Sequence, residues 1–182
     1  MNELSKQLES IQNNATIKKE TIVREVVAAV KSAGYTIVDL NDAKPWGAYI
    51  RMDGAQADRF IAEFFPGLTQ DEARFGVADA ELSPKLLIVA PKQRLSWQYH
   101  NRRAERWTFL TEGGYNKSST DDEGDLVVAQ PGTVVQFKTG ERHRLVGVEG
   151  KYAIVAEIWQ HTDSSQQSDE DDIIRLADDY QR

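Results

Sequence analysis

The chain contains no cysteine among its 182 residues. That absence excludes disulfides, thiolate nucleophiles and cysteine-based zinc sites together. Histidine is scarce as well: three in all, His100, His143 and His161. Any bound metal must then be held by these, by Asp or Glu, or by neutral oxygens. No apolar run approaches the roughly 20 residues that span a bilayer. The opening MNELSKQLES lacks the apolar stretch of a secretion signal. A cytoplasmic protein without membrane association is the resulting expectation. Positive charge is in deficit, with 22 Lys and Arg against 29 Asp and Glu and a net charge of −7. Phosphate backbones are bound by clustered cations, so the balance argues against nucleic acid. It leaves room for a local basic pocket that takes one small phosphate.

What is present fits one domain with a real core. The first dozen residues are polar and patternless, which predicts a frayed start. Ile22, Val23, Val26, Val27 and Val30 recur at three- and four-residue spacing, predicting a helix from Thr16 to Ala33 that Gly34 stops. A short strand over 35–40 follows. KPWGAY (44–49) is too rich in Pro and Gly for a regular element. Phe60, Ile61 and Phe64 mark a short helix, and Thr69 with Glu72 has capping-box spacing. From Lys85 the texture changes. KLLIVA, RLSWQYH, RWTFLT, DLVVAQ, TVVQF, HRLVGV and KYAIVAEIW are short and rich in β-branched and aromatic residues, with Gly, Pro, Asp and Asn between them. Such spacing indicates a sandwich or barrel. Residues 162–172 predict a solvated loop, and DIIRLADDYQR a tail that docks back on the barrel.

In the strand RLSWQYH, side chains alternate between faces. Arg94, Ser96, Gln98 and His100 share one; Leu95, Trp97 and Tyr99 share the other. The apolar face is expected to pack against the helical N-terminal part, leaving the polar face inside the barrel. A polar barrel interior means a binding site or a costly burial. Glu105 follows across the polar turn NRRA, close enough for the chain to reverse and bring it beside Gln98 and His100. His143 heads a later strand. Two imidazoles, a carboxylate and an amide oxygen suit a first-row divalent ion. An isolated strand histidine is ordinarily structural, so spacing alone leaves both readings open. Trp46 and Trp97 read as packing residues, His161 as a surface residue, and Asp169–Asp172 as a solvated acidic run.

Pro91 to Gly113 and Gly124 to His143 resemble the two motifs of the cupin superfamily. The first reads Gln98-Tyr-His100 with Glu105, the second Lys138-Thr-Gly140-Glu-Arg-His143. Gln in place of the first His, with RAE-W and HRL, is similar to the type II mannose-6-phosphate isomerase branch. KPWGAY, EIWQ and DEDDIIRLADDYQR resemble further segments of that branch. The resemblance implies a mainly β, jelly-roll (double-stranded β-helix) cupin barrel over 44–182, preceded by a helical extension, 1–43. It implies one divalent ion, Zn²⁺ first and Fe, Mn, Co or Ni as alternatives, on Gln98, His100, Glu105 and His143. It implies interconversion of mannose 6-phosphate and fructose 6-phosphate. The nucleotidyltransferase domain often fused ahead of this branch has no room in 1–43, so a standalone enzyme is expected. Where the branch usually shows QYHHHRAEHW, this chain reads QYHNRRAERW; Asn101, Arg102 and Arg106 predict a more basic rim and put substrate preference in question.

Roles follow from that chemistry. Glu157 is the first candidate base, inward by parity against Ile154 and Ile158, with Lys85 as the other. Arg103 is a candidate to stabilise an oxyanion or to hold a ligand. Arg175, Lys44, Arg142 and Lys85 are candidates for the phosphate, since Arg in particular matches phosphate oxygens. A non-catalytic sugar-phosphate-binding cupin and an iron-dependent oxygenase remain as other readings. A homodimer is expected from the family's habit of pairing barrel edges.

Overall fold

The computed structural model describes residues 3–11 and 13–181. Four helices come early: α1 (Glu3–Ser10), α2 (Lys19–Ser32), α3 (Ala57–Phe64) and the single-turn α4 (Gln70–Ala73). Strands β1 (Ile37–Asn41) and β2 (Gly47–Met52) are interleaved with them. The rest is β: β3 (Lys85–Val89), β4 (Trp97–Tyr99), β5 (Arg103–Phe109), β6 (Gly113–Ser118), β7 (Val127–Ala129), β8 (Val134–Phe137), β9 (Arg142–Val146), β10 (Ala153–His161) and β11 (Ile174–Ala177).

The strands form two sheets, β1-β2-β3-β10-β5-β8 and β11-β4-β9-β6-β7, with antiparallel pairing throughout. This is the jelly-roll barrel that the strand spacing and the motifs predict. Alternation along β10 explains the layering. Ile154, Ala156 and Ile158 meet Leu86 and Ile88 of β3, Ile50 of β2 and the helices, in a core that also takes Leu8, Ile22, Val26, Val30, Phe60 and Phe64. Val155 faces the other way, with Leu87, Val89, Trp107, Phe109, Phe137 and Leu145, inside the barrel. β3 is buried on both faces, so from Leu86 it reads as a continuous apolar run rather than an alternating one, whereas β10, equally buried, also carries Glu157, Gln160 and His161.

Several expectations change here. The predicted frayed start contains α1, whose Leu4 and Leu8 are buried in the helical core; Met1, Asn2 and Gln12 lie outside the described residues. KPWGAY runs into β2, because Gly47 (φ +152°) lets the backbone approach β3 where a Cβ would strike the Ile88 carbonyl. β1 pairs with β2, so the segment 1–43 contributes a strand to the larger sheet. The apolar face of RLSWQYH does not meet the helices, which pack on the opposite sheet. Leu95 instead packs against the barrel core, and Trp97 donates from Nε1 to the Asp121 carbonyl, 2.7 Å. The capping box at Thr69 forms as predicted, with Glu72 N–H donating to Thr69 Oγ1 at 3.2 Å and Thr69 N–H to Glu72 Oε2 at 2.9 Å.

Candidate metal centre and pocket

Three of the predicted ligands converge inside the barrel. His100 ends the β4 segment, His143 lies on β9 opposite Gln98, and Glu105 lies on β5 of the other sheet. Glu105 therefore reaches the histidines by crossing between sheets, not by the hairpin reversal that spacing suggested. His100 Nε2 is 3.0 Å from Glu105 Oε1, and His143 Nε2 is 3.3 Å from Oε2. Ligand atoms of the three residues all lie within 4.8 Å of one another, and all three side chains are buried.

The hydrogen bonds decide which ring nitrogens are free. His100 Nδ1 lies 2.6 Å from the Asp172 carbonyl and His143 Nδ1 2.9 Å from the Glu141 carbonyl. A carbonyl only accepts, so each Nδ1 carries a proton and each ring turns its Nε2 toward Glu105, with His100 Nε2 also 3.3 Å from Arg103 Nη2. Burial holds the His100 pKa below the usual histidine range, with Glu105 opposing. Burial alone would raise the Glu105 pKa. Its close contacts with His100, Arg103 and His143 outweigh that and hold it well below the usual range. Two imidazole nitrogens and a buried carboxylate facing one another form a donor set for a metal ion, with the Arg103 guanidinium beside them as the one positive charge in contact among the described residues. His143 Nε2 in particular is buried without a hydrogen-bond partner. The donor set fits a divalent ion.

Gln98 is buried beside this group and lines the same pocket as Glu105, with Oε1 accepting from Ser96 Oγ at 2.5 Å. Arg103 holds Glu105 from the side, Nε donating to Oε1 at 2.9 Å, and its guanidinium lies over Trp159 at 3.9 Å. The pocket opens from here to solvent with about 620 Å³ of free space. Lys44, Lys85, Arg103, Glu157 and Arg175 all line it, as do Trp46, Tyr49 and Trp159. Trp46 thus packs and faces the pocket at once. Glu157 pairs in register with both Lys85 and Trp107, and its Oε2 accepts from Trp107 Nε1 at 3.0 Å. Burial, then the nearby charge of Glu105, pushes its pKa up to about 8, with Lys85 and Arg103 opposing. Arg175 sits opposite Gln98 in the β11–β4 pairing.

Arg142 is not brought in. It stands one residue from His143 and so faces out of the barrel, where it pairs with Asp121 and lies over Tyr99 at 4.3 Å. Nor do Asn101, Arg102 and Arg106 make a basic rim. None of them lines the pocket; Arg102 binds Asp169 at 2.9 Å and Arg106 donates to Gln136 Oε1 at 2.7 Å.

The acidic loop differs most from its expectation. Residues 162–173 form a strap from β10 of one sheet to β11 of the other. Asp172 is buried, not solvated: its carboxylate accepts from the N–H groups of Asn101 (2.9 Å) and Arg102 (3.0 Å) and from Ser168 Oγ (2.7 Å). Arg103 donates to Ser168 Oγ and the Asp169 carbonyl, both at 2.9 Å. His161, expected at the surface, is 1% exposed; Nδ1 accepts from Ser168 N–H at 2.9 Å and Nε2 donates to the Glu81 carbonyl. The parity it shares with Glu157 along β10 was the available signal for its inward face.

The two-sheet barrel with a buried His/Glu cluster defines the chain as a cupin with a candidate metal site. Residues 77–178 match the family model "Mannose-6-phosphate isomerase C-terminal". The xanthan biosynthesis protein XanB of Xanthomonas campestris pv. campestris (strain B100) is 31% identical over 163 residues, covering 88% of this chain and 28% of that protein. The corresponding protein of strain ATCC 33913 is 30% identical over the same length. Among solved structures, the capsular polysaccharide assembling protein CapF of Staphylococcus aureus superposes with a TM-score of 0.50 at 11% identity, over 86% of this chain and 37% of that one, a likeness of fold alone. The chain belongs to the mannose-6-phosphate isomerase C-terminal family. It spans 28% of the length of the curated relatives it matches. No helix among the described residues is long and apolar enough to cross a membrane.

Proposed function

We propose that this chain is a metal-dependent aldose–ketose isomerase acting on a sugar phosphate, mannose 6-phosphate and fructose 6-phosphate first. One observation carries the reading: Glu105 of the buried His100–Glu105–His143 cluster, a buried Glu157 and the cations Lys44, Lys85 and Arg175 all line one pocket. Zn²⁺ is the first choice of ion, with Gln98 as fourth ligand. When bound, such an ion polarises a carbonyl and templates the adjacent hydroxyl. The chain's own groups do the rest. Glu157 takes the proton from C2 of the aldose and returns it to C1, while the hydroxyl proton passes from O2 to O1; the substrate is its own oxidant and reductant. A carboxyl with a raised pKa suits that exchange near neutrality. Arg103 orients Glu105, and Lys85, Arg175 and Lys44 hold the phosphate. Cytoplasmic location and a homodimeric state belong to the same proposal, the latter read by light scattering.

The test is a panel of hexose phosphates assayed before chelation, after it, and after adding back Zn²⁺, Fe²⁺, Mn²⁺, Co²⁺ or Ni²⁺. Isomerisation lost on chelation and restored by one ion is the expected result. Metal-replete protein that turns over no hexose phosphate would sink the proposal, and calorimetric binding without turnover would instead make it a sugar-phosphate-binding cupin. Oxygen consumption with Fe²⁺ would move it to the oxygenases, which share a two-His, one-carboxylate set.

A further inference from the structure

The strap brings its own anion into the pocket. Lys85 is 6% exposed at its side chain, packed with Nζ 3.7 Å from the Trp159 ring centroid. Its ion-pair partner is Glu170, whose Oε1 lies 2.8 Å from Nζ and whose side chain is 66% exposed. A buried ammonium is thus neutralised from the solvent side by a carboxylate that costs little to withdraw, because an exposed carboxylate is readily rehydrated. Glu170 also sits between fixed points. Ser168 and Asp169 are tied to Arg103 and Arg102, and Asp172 to the Asn101 and Arg102 N–H groups. The Glu170 side chain thus stands exposed on a crest between two tethered feet. Lys44 and Arg175 border the same pocket, so a second anion arriving there meets further positive charge.

We infer that Glu170 is a resident counter-ion of Lys85, occupying the position an anionic substrate group takes, and that it must be displaced before that group binds. Glu170 is then a specificity-determining residue. A dianion such as phosphate carries enough charge to displace it; a neutral sugar does not. This rests on the pocket being the substrate site, as proposed above, but not on turnover.

Inorganic phosphate is the probe, titrated into the full chain at fixed ionic strength and followed by calorimetry and tryptophan fluorescence. Glu170→Gln keeps the shape of the strap and removes the competing charge. It is expected to bind phosphate about tenfold more tightly than the unaltered protein, equivalent to about 1.4 kcal/mol. Adding Lys85→Met to that variant is expected to abolish the gain. The inference is overturned if Glu170→Gln binds phosphate no tighter, or if the gain survives Lys85→Met. The readout separates the two proposals. A tenfold gain without isomerase activity removes the function and keeps the inference; activity without the gain does the reverse.

Discussion

Strand β10 presents two faces that obey different rules. Ile154, Ala156 and Ile158 pack on the helical side, and Gln160, the polar residue that ends this face, is an uncharged amide that donates to the Glu72 and Ala73 carbonyls. On the barrel side Glu157, Trp159 and His161 alternate with them, equally buried but polar or engaged with cations. One face gains stability by removing apolar surface from water. The other stays polar inside the protein, where each buried charge must find a partner. Burial alone therefore does not separate scaffold from site in this molecule; the chemistry of what is buried does.

That contrast can be broken by altering one face at a time. The largest effect is expected from His143→Ala or His100→Ala. Each should lose the metal outright while the helical core stays folded, read by elemental analysis beside circular dichroism; full metal stoichiometry in both variants would refute the ligand assignment. Next comes Glu157→Gln, which preserves the acceptor for Trp107 Nε1. Turnover should fall by about 10²- to 10⁴-fold, the usual worth of a proton-transfer group, with little change in melting temperature. The sign of its pH dependence is fixed. A base works ionised, so activity should rise with pH up to the raised pKa of Glu157, about 8 before any metal charge lowers it. A rate profile still showing that limb in the variant would acquit Glu157.

Its neighbour Ile158 supplies the opposite experiment. Ile158→Ala should cost about 2–5 kcal/mol of stability by opening a cavity, measured by urea unfolding, yet leave metal content at full stoichiometry in the folded protein. Loss of metal there would show that the two faces are coupled. The smallest effect expected is from Asp172→Ala. The strap would lose its hold on the Asn101 and Arg102 N–H groups and shift the carbonyl that orients His100. Weakening of metal affinity by about 10- to 100-fold is usual for such supporting contacts. A competition titration against a chelator would measure it, and unchanged affinity would reduce Asp172 to a structural anchor.

How much of this was legible in the sequence follows from what alternation encodes. It sorts side chains between the faces of one strand, which placed Gln98, His100 and Glu157 inward and, read on Arg142, would have turned it outward. It does not say which sheet a strand joins, so Glu105 was expected from a hairpin and arrives from across the barrel. β6 was hidden because Gly113 and Gly114 read as turn residues. They are glycines for packing: a Cβ on Gly113 would come within 2.9 Å of Phe109 and Ala153, and one on Gly114 within 2.9 Å of Leu126. α1 carries only Leu4 and Leu8 as its apolar stripe, too short a signal to stand against its polar neighbours. The strap was least visible of all. Its acidic residues look alike in composition, and only tertiary contact separates buried Asp172 from exposed Glu170.

The bond from His100 Nδ1 to the strap ends on a main-chain carbonyl. No side-chain replacement at position 172 can delete that oxygen. What can remove it is a change in the number of residues between His161 and Ile174, which would slide the carbonyl out of reach. The metal centre is thus sensitive to the length of this segment more than to its spelling, and a single-residue insertion or deletion there should be more damaging than many substitutions together.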